Sequence, residues 1–148
     1  MLVYRFELGF SYVEENLYPV RSIGPFARYY SQYSTDNGFD RLRLGTPHEL
    51  QPEPENDGIH SIKHGWAFGC ASIKDLIRFF SNDLGRLHRS GFQVFVYEVP
   101  DNHVDVGGHQ VQYYVGSANL VRIMGVREMK QEYRQMKEVE DAKNAVHV

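Results

Sequence analysis

The stretch "HGWAFGCASIKDLIRFF", residues 64–80, places several side chains where they could act on a ligand. Ser72 stands where an aromatic, glycine-rich run turns into an amphipathic helix. Its hydroxyl and the free N–H groups of the first helical turn would face an anion there. Trp66 and Phe68 would supply flat apolar wall, and Gly69 would let backbone approach closely. The same residues also read more simply, as core aromatics, an accommodating glycine and an ordinary helix cap. Upstream, Arg21 and Arg28 beside Phe26, Tyr29 and Tyr30 could pair with phosphate and stack a base, with Arg41 and Arg43 adding a basic lip. Interleaved arginine and tyrosine are as common on plain surfaces.

Other chemistries find less. Of the seven histidines, His60 and His64 have one-face helical spacing. Their segment lacks a helical pattern and no Cys-x-x-Cys occurs, so no metal site is expected. Gly-x-Ser-x-Gly and Walker patterns are absent. Glu49, Glu53, Glu55 and Asp57 could supply paired carboxylates, but they fall in what reads as a solvated loop. Cys70, between Gly69 and Ala71, reads as a small buried filler rather than a nucleophile.

The elements that must position these residues follow from periodicity. "LVYRFELGF" alternates as a strand, with Val3, Arg5 and Glu7 on one face and Tyr4 and Phe6 on the other. Gly24-Pro25 breaks the chain, and residues 35–61 read as a long loop rich in proline and acids. "GWAFGCA" reads as a second strand. Ser72 with Asp75 approximates a capping box, and Ile73, Leu76, Ile77, Phe80, Leu84 and Leu87 give one helical face up to Ser90-Gly91. "FQVFVYEV" is apolar on both faces, so it reads as a central strand. "VDVGGHQVQYYV" and "NLVRIMGV" hold further strands. Residues 126–148 read as a polar helix with a thin stripe at Val126, Met129, Tyr133, Met136 and Val139, which suits pairing with another helix, a homodimer among the options. The fold class is therefore α+β: mostly antiparallel sheets, one central amphipathic helix and a C-terminal helix, with residues 1–124 as a single domain.

Bulk properties narrow the setting. The chain has 148 residues, a 42% hydrophobic fraction and a net charge of −3, which fits one globular domain and argues against a dedicated nucleic-acid binder. The single cysteine fits a reducing, cytoplasmic compartment. Neither a membrane-length apolar run nor a leader signal is evident. Ten tyrosines and nine phenylalanines exceed what a core of this size needs, and some would line a groove.

Taken in order, Tyr4-Arg5 on a first strand, the small-residue step into Ser72, and Gln110-Val111-Gln112-Tyr113 after two glycines resemble the ADP-ribosyltransferase-like fold. The layout "YR…GP…H…P…D…FG.AS…L..FF…QV.." is also similar to small uncharacterised phage-encoded proteins. The likeness covers roughly residues 1–124. It implies NAD or an ADP-ribose nucleotide held between two small sheets, Arg5 on its phosphate or ribose, and Ser72 bracing the ribose. Tyr4, Tyr30, Trp66 and Phe68 would complete the cofactor wall. The family's late-strand glutamate is replaced by Gln110 or Gln112, which lack its charge; the loss can slow the reaction roughly a hundred- to a thousandfold. Three outcomes stay open: the nucleotide is bound without turnover, a related reaction runs that does not use the acid, or Glu98 on the neighbouring strand fills in. The rival reading is a non-enzymatic phage inhibitor that docks on a host enzyme or defence complex through its aromatic segment, its acidic loop or its C-terminal helix. A third is an accessory protein that oligomerises through that helix.

Overall fold

The computed structural model describes residues 1–8, 46–47, 49–59, 61, 63 and 65–146. Among the described residues, six strands form two three-stranded antiparallel sheets. In the first sheet β1 (Leu2–Leu8) and β6 (Asn119–Met124) flank β3 (Phe92–Glu98). In the second, β2 (Trp66–Gly69) and β4 (Val104–Val106) flank β5 (Val111–Tyr114). The central place of β3 accords with its apolar character on both faces.

The sheets meet edge to edge. Tyr4 and Cys70 exchange both backbone hydrogen bonds at 2.8 Å, which joins β1 to the end of β2. This contact explains Gly69. A Cβ there would lie 2.5 Å from Val3 Cγ1 and 2.9 Å from the Tyr4 carbonyl, so only glycine lets the two strands approach. The backbone that Gly69 admits is the protein's own first strand.

Strand alternation then sorts the core. Val3, Phe95, Tyr97 and Val99 of the first sheet pack against Ala67, Val111 and Tyr113 of the second. On the first sheet's other face, Phe6, Val94, Val96 and Met124 meet Leu76, Phe80, Leu87, Val126 and Met129. Phe6 and Phe80 sit edge to face there, 5.3 Å apart.

Where one amphipathic helix was expected, the chain makes two, α1 (Ile73–Phe79) and α2 (Leu84–Arg89). The break has a non-local cause. The Asp83 carboxylate accepts the Thr46 amide at 3.1 Å and also the Thr46 hydroxyl, and the Asn82 amide donates to that hydroxyl oxygen at 3.2 Å. Asp83 N–H bonds back to Phe80 O at 2.8 Å, a turn in place of a continuing helix. The apolar face survives because Leu84 and Leu87 resume it. The C-terminal helix, α3 (Val126–Val146), buries only Val126 and Met129.

The described part of the proline-rich stretch is tied to the body. A 3-10 turn spans Pro54–Asp57 and ends at Gly58, whose φ of 91° suits glycine. Gln51 Nε2 donates to Phe79 O at 3.0 Å, and Gln110 Nε2 to Pro52 O at 2.9 Å. Glu49 and Glu55 are exposed as a solvated loop predicts, but Asp57 is buried.

Candidate functional site

Period-two alternation turns Arg5 and Glu7 toward the space between the sheets, and β3 brings Tyr97 beside them. Arg5 is 1% exposed. Its Nε donates to Glu7 Oε1 at 2.8 Å and its Nη1 to the Phe68 carbonyl at 2.7 Å. The Tyr97 hydroxyl lies 2.8 and 2.9 Å from the two Glu7 oxygens. Burial first, then the Glu7 charge, push the Tyr97 phenol far above its ordinary range, so it stays a donor. Its ring stacks on Tyr113 at 6.0 Å. A cation, a carboxylate and a phenol thus converge where the sheets meet. Together they can neutralise one another and pin β1 to β2. The sequence pattern that put Glu7 on the face of Arg5 was the available signal for this pairing.

The other residues singled out by sequence do not join this cluster. Tyr4 lies on the opposite face of β1, half-buried against the helix-side core. Phe68 is buried in that same core and offers Arg5 its carbonyl. Ser72 caps α1, its Oγ accepting the Asp75 amide at 3.1 Å, a contact that contributes about 1 kcal/mol to such a helix. Gln112 is fully buried on the face of β5 away from Arg5. Its Oε1 accepts the Lys63 amide at 2.9 Å, and its Nε2 donates to Ser61 O at 2.9 Å and Asp105 Oδ2 at 3.1 Å. Gln110 holds Pro52 as described above. The β5 residues that do face the first sheet are Val111 and Tyr113. Glu98 is exposed on the far side of β3, opposite Leu2 in register. Tyr30, Arg21, Arg28, Arg41, Arg43, His60 and His64 fall outside the described residues.

Trp66 belongs to a partly exposed shelf on the outer face of the second sheet. Its ring centroid is 6.0 Å from that of Tyr114, and Lys63 Nζ sits 4.2 Å above it. Lys63 is also paired with Asp105 at 2.9 Å, and His103 meets Tyr114 edge to face. The lysine on this shelf therefore already has an acid and a ring.

Asp57 is a residue that composition hides. Its Oδ2 accepts the His109 and Gln110 amides, both at 2.9 Å, and its Oδ1 lies 2.6 Å from His109 Nδ1. Gly108 N–H donates to Asp57 O at 2.8 Å. A Cβ on Gly107 would lie 2.7 Å from Asp57 Oδ2, so the glycine pair admits the carboxylate. Cys70 is buried, and burial pushes its thiol well above the ordinary range, against a nucleophilic role. Among the described residues no group of three or more His, Cys, Asp or Glu is placed to hold a metal. No described helix is long and apolar enough to cross a membrane.

Comparison with known proteins points in one direction. A protein of Enterobacteria phage T4, described as "Uncharacterized 19.7 kDa protein in motB-dexA intergenic region", is 41% identical over 100 residues; the match takes in 55% of this chain and 60% of that relative's length. No solved structure matches. Residues 1–127, which include all six strands and stop at the second residue of α3, match the family described as Bacteriophage T4 Y00F protein, and the chain belongs to that family.

Proposed function

We propose that the protein acts by binding a protein of the infected cell rather than by catalysis, and that β6 is the contact surface. The observation that carries this reading is the outer strand of the first sheet. Leu120, Val121 and Ile123 are 41%, 56% and 41% exposed on neighbouring positions of that strand. Single exposed apolar residues are ordinary, but a run of them on an edge strand is a common contact surface. The one basic residue in the run, Arg122, is turned back to Glu128 and Glu132 of α3, at 3.3 and 2.6 Å, so it does not guard the edge. A further support is that Arg5, Ser72, Gln110 and Gln112 each have hydrogen-bonding partners within the chain.

The test is capture by the tagged chain in infected cells, followed by reassembly with the purified candidate. Val121→Lys and Ile123→Glu are expected to lose the reconstituted complex, while unfolding free energy shifts by no more than about 0.5–1 kcal/mol. Equal binding by wild type and both variants would rule out β6 as the contact.

A second reading, an NAD or ADP-ribose nucleotide protein of ADP-ribosyltransferase-like architecture, is favoured by one observation. Arg5 lies where two small sheets meet, which is where that resemblance implies a cofactor. Here Glu7 and Tyr97, rather than Gln110 or Gln112, would be the groups beside it. On this reading NAD or ADP-ribose at a hundred times its Kd raises the unfolding free energy by about 2.7 kcal/mol, and a conservative Arg5→Lys variant that still folds loses the gain. A flat thermal-shift series with both compounds would end it.

A further inference from the structure

His109 stands on the turn that joins β4 to β5, and the chain holds its ring from one side only. Behind it lies the Asp57 carboxylate, 2% exposed. Asp57 Oδ2 is taken by the His109 and Gln110 amides, which leaves Oδ1 for His109 Nδ1 at 2.6 Å. A carboxylate only accepts, so Nδ1 carries the proton and Nε2 the lone pair. The imidazole side chain is 35% exposed, and among the described residues its Nε2 has no hydrogen-bond partner. The ring therefore turns an unprotonated nitrogen outward with a fixed negative charge behind it. Three backbone N–H groups, those of Gly108, His109 and Gln110, already hold Asp57 in place. The bond to the ring thus adds orientation more than anchorage.

We propose that His109 Nε2 is a nucleophile that accepts a phosphoryl group from a high-energy donor of the phosphoramidate or acyl phosphate class. Nε2 forms the new bond to phosphorus while the donor's own bond to phosphorus breaks; from phosphoramidate, neutral ammonia leaves. The ring then has a proton on Nδ1 and phosphorus on Nε2, so it is a cation. Asp57 Oδ1 faces that proton, and the charge that develops during the attack is matched where it appears. Three hydrogen bonds keep the Asp57 charge on the inner edge of the ring, and the phosphoryl group brings its charge to the outer edge. The two anions flank the cation rather than each other. A neutral acyl group would leave the ring cation with Asp57 alone, which is why the phosphoryl group is the better match. His103 offers a comparison within the same chain. Its Nδ1 is bonded too, at 2.8 Å, but to the neutral Ser117 hydroxyl. No residue of β6 takes part, so this inference and the binding reading above can fail separately.

The test is incubation of the full chain with phosphoramidate at about pH 8, above the ordinary imidazole range. Modified positions are then mapped by mass spectrometry in alkali, where phosphohistidine survives, and phosphorus NMR identifies the nitrogen. His109 is expected to react on Nε2 about tenfold faster than His103 or His88. Asp57→Asn keeps an acceptor for the two backbone amides but removes the charge behind the ring. It should slow His109 about tenfold or more and leave His103 unchanged. Nitrogen NMR of the unmodified wild-type ring needs no variant, and it should show Nδ1 protonated and Nε2 bare. The proposal is overturned if His109 reacts no faster than His103 and His88, if folded Asp57→Asn reacts as fast as wild type, or if the wild-type ring carries its proton on Nε2.

Discussion

Arg5→Ala is expected to lower the unfolding free energy by about 3–5 kcal/mol, a third or more of what a small domain usually has. The size follows from what remains behind. Glu7 is as buried as Arg5, and without the guanidinium its charge loses the cation 2.8 Å away while the Tyr97 hydroxyl stays in place. The Phe68 carbonyl loses its 2.7 Å donor at the same moment, so the damage spans both sheets. Thermal midpoints should fall by roughly 10–15 °C. Glu7→Gln should cost less than Arg5→Ala, because the amide oxygen can still accept from Arg5 and the Phe68 carbonyl still holds the guanidinium that stays behind. Arg5→Met with Glu7→Leu is expected to recover part of the loss, since removing both ions removes the stranded charge. Recovery stays partial because Tyr97 loses the acceptor that Glu7 provides. Denaturant titration of Arg5→Met, Glu7→Leu and the double forms a mutant cycle. Purely additive losses, or an Arg5→Ala effect below about 1 kcal/mol, would show that the cluster does not hold the sheets together.

The same residues show what could be read from sequence. Alternation in β1 separated Val3, Arg5 and Glu7 from Tyr4 and Phe6 correctly, because one face of that strand is polar and buried and the other is aromatic. A partner for Arg5 two residues away was therefore in plain view. Alternation in β5 held a similar message. Gln110 and Gln112 share a phase with each other and oppose Val111 and Tyr113. Which phase faces β1 depends on how β5 pairs with β2, and that register is a tertiary fact: Ala67 opposite Tyr113, Phe68 opposite Gln112. The break between α1 and α2 was invisible for a different reason. The apolar period runs through Phe80 to Leu84 without interruption, and Thr46, far away in sequence, draws Asp83 into a turn. Asp57 was misplaced by composition. Acids in a proline-rich stretch are usually solvated, and the amides that bury this one lie some fifty residues downstream.

That distant bond carries the second large effect. Asp57→Ala is expected to cost about 3 kcal/mol, because it strips the acceptor from two backbone donors, His109 and Gln110, of which the second is buried. Asp57→Asn separates shape from charge. One amide oxygen can still accept both backbone N–H groups, and the side-chain NH2 can meet His109 Nδ1 if that ring is the Nε2–H tautomer. The Asp57→Asn variant should therefore retain most of the stability, with a loss nearer about 1 kcal/mol. Gly107→Ala reaches the same clasp from the other side. Its methyl would sit 2.7 Å from Asp57 Oδ2, 2.8 Å from Asp57 O and 2.9 Å from Gln110 O, and two of these three are backbone atoms that cannot swing aside. Hydrogen exchange gives the discriminating readout. If the clasp works as the geometry indicates, the amides of His109, Gln110 and Gly108 lose protection together in Asp57→Ala and Gly107→Ala. Amides of β1 and β3 should slow or speed only with global stability. Protection unchanged at those three amides, or an Asp57→Ala loss within about 0.5 kcal/mol, would mean that the Asp57 carboxylate does not anchor residues 54–58.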